Sequence, residues 1–213
     1  MVTFADTKGI FAETAISQLA TLGVFGNVGS DFHPRDPLTR GTYVRWLVTA
    51  NNIYFASNPR KQIRLAEGSD TVFVDVPPSN PDYKYIQGMA DSGYVIGHDK
   101  THFLPSQDIM REEMLMILVH RDENGGSGDA SAAGQPPNDQ YGDAAQISKV
   151  YRQAVHDDKW DMSMNSRSNG TRIFGSAKTL HPQRQLTRGE AAVSLQEIDG
   201  VTAASVLPAQ PAK

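Results

Sequence analysis

Three arginines carry the strongest chemical signal in the chain. Arg40, Arg111 and Arg188 each follow a proline by six residues, at Pro34, Pro105 and Pro182, and each has an aliphatic residue two positions before it, at Leu38, Ile109 and Leu186. Thr39 and Thr187 stand where a helix N-cap would stand, and Thr187 with Glu190 three residues on forms a capping box. Thr42 is a poorer partner for Thr39, and Met110 cannot cap, which leaves Asp108 as the expected substitute. The three guanidinium groups therefore fall in the first turn of a helix, where the helix dipole disfavours a cation. A recurring cation there implies a recurring anion. Free backbone N–H groups beside a planar guanidinium would suit a carboxylate. Equally, each arginine could pair with an Asp or Glu of a neighbouring unit and clamp an interface, and the sequence leaves both readings open. On the binding reading, Arg40→Ala or Arg188→Ala weakens ligand binding and leaves thermal stability nearly unchanged.

Other residues near these positions have lesser roles to weigh. His33 and His181 precede the repeated proline and could reach a sugar hydroxyl, although a loop histidine satisfied by backbone is the commoner arrangement. Phe25 and Tyr94 lie beside the predicted inter-helix loops and are candidate stacking surfaces, whereas Trp46, at helical spacing, is expected in the core. Asp6, Asp75 and Asp143 are expected to cap the first helices.

These residues belong to a longer internal repeat. Aromatic-x-Asp openings occur at Phe4-Ala5-Asp6, Phe73-Val74-Asp75 and Tyr141-Gly142-Asp143. In the third copy the proline lies 41 residues beyond the opening aromatic, against 30 and 32 in the others, and the excess is a polar stretch at 162–177 that reads as an inserted loop or hairpin. Within a copy the pattern is helix, turn, helix: Ile10, Phe11, Ala15, Ile16, Leu19 and Leu22 run to a stop at Gly23, and Tyr43, Trp46, Leu47, Ala50 and Ile53 share one side of a second helix. Met114, Leu115, Ile117 and Leu118, and then Ala191, Val193, Leu195 and Ile198, are the corresponding stripes. Each pair is too short to bury its own stripe, so the copies must pack on one another. The expected organisation is repeat 1 at 1–57, a connector at 58–70, repeat 2 at 71–121, a flexible linker at 122–140, repeat 3 at 141–200 and a tail at 201–213 that is either disordered or leads to a further segment.

Composition excludes several function classes. A net charge of −4 with dispersed basic residues argues against a nucleic-acid surface. The absence of cysteine removes disulfides, thiol nucleophiles and Cys-ligated metals. The 6 histidines show no recurring ligand spacing, so no metal and no cofactor is expected. No nucleophile elbow, phosphate loop or dinucleotide fingerprint occurs. Glu112 and Glu113 are adjacent on a helix, point apart, and make poor acid/base partners. A non-catalytic protein is expected. No apolar run is long enough to span a membrane and no signal peptide is visible at the start of the chain.

At Phe4-x-Asp6, Leu22-Gly23-Val24-x-Gly26, Phe32-x-Pro34 and Leu38-Thr39-Arg40 the sequence resembles the S-layer homology family, and Leu186-Thr187-Arg188-Gly189-Glu190 is the nearest match to its Thr-Arg-Ala-Glu stretch. His98 to Pro105 fits the family's loop. The resemblance implies an all-α fold of three helix–loop–helix repeats packed as a pseudo-threefold spindle around a shared helical core, monomeric because the copies already associate within one chain. It also implies grooves that bind an acidic wall polysaccharide, for example one bearing a pyruvyl group, and so a cell-envelope anchoring module with an extracytoplasmic location. The candidate ligand-binding residues, taken from the reading of the residues above, are Arg40, Arg111, Arg188, Thr39, Thr187, Glu190, Phe25, Tyr94, His33 and His181. Departures occur where Gly41 and Thr42 replace Ala and Glu, where Met110 replaces Thr, and where Phe11, Tyr83 and Tyr151 are the only counterparts of a first-helix Trp. They raise an alternative, an envelope protein-interaction scaffold that keeps the fold and binds a protein partner in place of the glycan.

Overall fold

The structure is a computed structural model that describes residues 1–94, 97–122, 141–152, 154, 155, 158, 169–175 and 178–208. It is mostly helical. Helices α1 (Glu13–Thr21), α2 (Arg40–Tyr54), α3 (Tyr83–Asp91), α4 (Arg111–Asp122), α5 (Asn169–Phe174), α6 (Arg188–Ser194) and α7 (Ala203–Val206) are joined by short 3-10 turns, with one hairpin of β1 (Glu197–Ile198) and β2 (Val201–Thr202). None of these helices is long and apolar enough to cross a membrane.

The first helices end where glycine allows them to. After α1 the chain turns at Gly23, φ +80°, and Val24 N–H reaches back to the Leu19 carbonyl. After α3, Gly93 at φ +76° allows Tyr94 N–H to reach Met89 in the same way. Both are left-handed helix stops that a side chain would strain. The apolar stripe of α2 is core: Tyr43, Trp46, Leu47 and Ala50 are buried, as are Met114, Leu115, Ile117 and Leu118 of α4. In the last unit α6 is shorter than expected, so Leu195 caps it and Ile198 falls in β1.

The aspartates of the aromatic-x-Asp openings do not cap helices. Asp6 accepts Phe32 N–H (3.0 Å) and His33 N–H (2.6 Å). Asp75 takes Phe103 N–H (2.9 Å) and Leu104 N–H (2.7 Å). Asp143 takes Leu180 N–H (2.9 Å) and His181 N–H (2.7 Å). At all three places the second residue is a non-glycine with positive φ: His33 at 56°, Leu104 at 60° and His181 at 51°. Left-handed backbone costs an ordinary residue roughly 1–2 kcal/mol, and two charge-assisted hydrogen bonds to one carboxylate offset that cost. The clamp thus fixes the loop that leads into each second helix.

Burial works against the Asp6 charge, but the Phe32 and His33 N–H groups prevail and hold its carboxyl below the usual value. A depressed native pKa contributes stability that is present above the unfolded-state value of about 3.9 and is lost as pH falls through the native value. Asp6→Asn is therefore expected to lower the melting temperature at neutral pH and to flatten the acid side of a melting-temperature profile; an unchanged acid limb would remove the clamp from the account.

The other elements depart from the composition-based reading. Part of the expected insert at 162–177 is helix α5, whose first two N–H groups, Asn169 and Gly170, donate to the buried Asp158 carboxylate at 3.0 and 2.9 Å. Burial pushes the Asp158 carboxyl up, with these hydrogen bonds opposing. The expected tail begins as ordered chain, because β2 pairs with β1 and α7 packs on α1 and α2. The connector is pinned by Asn52, whose side chain makes reciprocal 2.8 Å bonds with Ile63 N–H and C=O. Of the linker expected at 122–140, positions 123–140 lie outside the described residues, as do 162–168 within the insert.

Candidate binding cleft

Three short bridges hold the segments before the second helices against one another: Thr39 with Asp108, Met110 with Gln185, and Pro37 with Thr187. They set the entry of each helix against the preceding loop of another unit. Arg40 and Gly41 N–H donate to the Gln107 and Pro105 carbonyls, Arg111 and Glu112 N–H to Arg184 and Pro182, and Arg188 and Gly189 N–H to Asp36 and Pro34, all at 2.8–3.1 Å. The N–H groups expected to be free for an anion are consequently occupied by backbone. A Cβ at Gly41 would lie 2.6 Å from Asp82 Oδ2 and 3.0 Å from the Pro105 oxygen, so a side chain there would have to displace the Asp82 carboxylate.

Thr187 and Glu190 form the expected capping box on α6, and Thr39 caps α2 through Thr42 N–H at 3.2 Å. On α4 the expected substitute cap is not made: Asp108 instead accepts Gln185 Nε2 at 2.8 Å, and Met110 N–H is held by Glu113 Oε2 at 2.8 Å.

The guanidinium groups then reach across to the next unit. Arg40 donates through Nε to the Phe103 carbonyl (2.8 Å) and pairs through Nη1 with Glu113 Oε1 (2.9 Å). Arg111 donates through Nη1 to the Leu180 carbonyl (2.7 Å) and through Nη2 to Glu190 Oε1 (2.5 Å). Arg40 is 2% exposed and Arg111 6%. Both therefore occupy the clamp arrangement, and both Glu190 oxygens are committed inside the protein, one to Arg111 and one to Thr187 N–H.

Arg188 repeats the first half of this arrangement and lacks the second. Its Nε donates to the Phe32 carbonyl at 2.8 Å, and its guanidinium lies 4.7 Å from the Phe32 ring centre and 5.0 Å from that of Trp46. In unit 1, however, Thr42 occupies the position of Glu113 and Glu190. Among the described residues no carboxylate lies within ion-pair distance of Arg188. Burial pulls its pKa down, opposed by the fields of Asp36 and Asp6; an arginine so placed stays charged.

A cavity of about 520 Å³ opens beside it, lined by Phe25, Asn27, Val28, Gly29, Ser30, Asp31, His33, Asp36, Pro37, Thr42, Arg45, Trp46 and Arg188. Arg45 is paired with Asp82 at 2.6 Å, and burial raises the Asp82 carboxyl despite that guanidinium. Among the described residues Arg188 is thus the lining arginine without a counter-ion of its own.

Of the residues singled out from sequence, Arg188, Phe25 and His33 meet at this cavity. Phe25 is 6% exposed and packs on Trp46 (4.5 Å) and Phe32 (4.8 Å), so it presents an edge to the cavity, and Trp46 is core as expected. Tyr94 lies partly buried and does not line the cavity, and His181 sits at another junction with Nε2 3.1 Å from Thr179 Oγ1. Thr39 and Thr187 are caps. Sequence reasoning passed over Arg45, Asp31 and Asp36; only Thr42 had left a mark, as a departure from Glu. Among the described residues no cluster of His, Asp and Glu could hold a metal ion.

No curated protein matches the chain. Residues 3–50 and 72–115 each match the family model of the S-layer homology domain, a non-enzymatic cell-wall anchoring module found in cell-envelope proteins, and the chain accordingly carries two S-layer homology repeats in tandem.

Proposed function

We propose that the chain is a non-catalytic, monomeric, extracytoplasmic anchoring module in which 141–200 is a third, diverged repeat, the three closing a pseudo-threefold spindle. The third aspartate clamp, the third bridge and the Arg188 bond back to Phe32 support that reading. Its ligand is an acidic cell-wall polysaccharide, bound where α6 meets the first repeat, and a pyruvyl ketal is one form its carboxylate can take. The observation that carries the proposal is the Arg188 guanidinium, without an ion-pair partner among the described residues, beside a cavity large enough for a sugar residue. Phe25 and His33 supply an apolar edge and a polar tip beside it, a combination suited to a saccharide.

The closure of the Arg40 and Arg111 junctions favours a second reading, a scaffold that binds an envelope protein. One experiment separates the two. Purified wall sacculi are expected to retain the protein before, and to release it after, chemical removal of their linked polysaccharide. Retention on stripped sacculi would shift the assignment to peptidoglycan or a protein partner.

A further inference from the structure

The three arginine junctions differ in whether an internal carboxylate meets the guanidinium. At two of them a glutamate at the third helical position uses Oε2 to accept the backbone N–H of its own N-cap residue and Oε1 to neutralise the arginine arriving from another unit. At the third the residue is Thr42, whose hydroxyl lies 2.9 Å from Thr39 Oγ1 and offers no charge. Thr42 and Arg188 line the same cavity. The position that Oε1 fills elsewhere is therefore open to solvent here, in front of a half-buried guanidinium backed by two aromatic rings and already oriented by its Nε bond to Phe32.

We propose that Thr42 is the specificity-determining residue of this chain: it leaves a single carboxylate-accepting site, and the ligand's carboxylate completes the Arg188 junction as Glu113 and Glu190 complete the other two. The inference rests on the proposed function only for the source of that carboxylate. It makes the site monovalent, and it selects a carboxylate because a glutamate carboxylate meets the guanidinium at both sister junctions. The residue that would close the site is built into the repeat itself, so Thr42→Glu should supply the missing internal anion and shut out an external one.

The test is a titration of the ¹⁵N-labelled full chain with D-glucuronate, following the Arg188 Nε–H signal, with D-glucose as the neutral control. Wild type is expected to shift saturably with glucuronate and not with glucose, at one site per chain. Thr42→Glu should bind at least about tenfold more weakly and melt at a higher temperature, whereas Thr42→Gln, which can cap but carries no charge, should keep glucuronate binding. An Arg188 signal indifferent to glucuronate, or a Thr42→Glu protein that binds it as wild type does, would overturn the proposal. Sacculi keep the two ideas apart. Equal retention of wild type and Thr42→Glu on sacculi supports anchoring and sinks the role of Thr42; a glucuronate response abolished by Thr42→Glu with no sacculus binding supports Thr42 and sinks the anchoring.

Discussion

Arg40→Ala is expected to lower the unfolding free energy by about 3–5 kcal/mol, the range for removing one partner of a buried ion pair. Arg40 and Glu113 are 2% and 5% exposed, so solvent screens the pair little and cannot replace the lost partner. The substitution strands the Glu113 carboxylate and also the Phe103 carbonyl, which Arg40 Nε satisfies. Glu112 worsens the outcome. It is buried beside Glu113, its carboxyl is pushed up first by burial and further by the Glu113 charge, with the Ser148 hydrogen bonds opposing. Without Arg40, the Glu113 carboxylate loses its paired cation while its charge still acts on Glu112. This reverses the expectation that Arg40→Ala would spare stability. Urea unfolding of the variant checks it, and Arg40→Ala combined with Glu113→Gln should recover part of the loss by removing the stranded charge. A loss below about 1 kcal/mol, the range of exposed pairs, would mean that the junction is not sealed.

What could be read from the sequence were the features whose determinants lie close together along the chain. The proline-to-arginine spacing, the glycine stops at Gly23 and Gly93, the capping box of Thr187 and Glu190 and the buried stripe around Trp46 all depend on residues within a turn or two of each other. The aspartate clamps were misread because their partners lie 26 to 38 residues away, and an Asp near a helix start is by default a cap. The same distance left the arginine pairing undecided between clamp and ligand site: nothing local in Thr-Arg-x-Glu says that the arginine of one copy meets the glutamate of another, 79 residues on in the case of Arg111. Helix α5 was missed because its sequence is polar and its first N–H groups are held by Asp158, 11 residues earlier, through a buried contact. The hairpin was legible in principle. Asp199-Gly200 between Ile198 and Val201 is a strong two-residue turn signal, and both turn residues have positive φ; the proline-containing end that follows drew attention away from it.

The contrast between two arginines that look alike in sequence yields the second large effect. Arg188→Ala is expected to reduce affinity for polysaccharide-bearing sacculi by a factor of about ten or more, corresponding to a charge-assisted contact of roughly 1.5–3 kcal/mol. Its cost in stability should be smaller than that of Arg40→Ala, because no internal carboxylate is left stranded. What is lost is the bond to the Phe32 carbonyl and the packing over Phe32 and Trp46, together about 1–2 kcal/mol. Arg188→Lys retains a charge but cannot both donate to Phe32 and present a planar edge to the cavity, so it should recover stability more than affinity. Raising the salt concentration should weaken wild-type binding and have little effect on the residual binding of Arg188→Ala, since the contact removed is the one that screening acts on. The two readings of the arginines thus separate within one molecule. If Arg188→Ala unfolds as readily as Arg40→Ala and shows no binding loss beyond its unfolded fraction, this arginine too is a clamp. A variant that melts near wild type and leaves the sacculi in solution assigns its charge to a ligand.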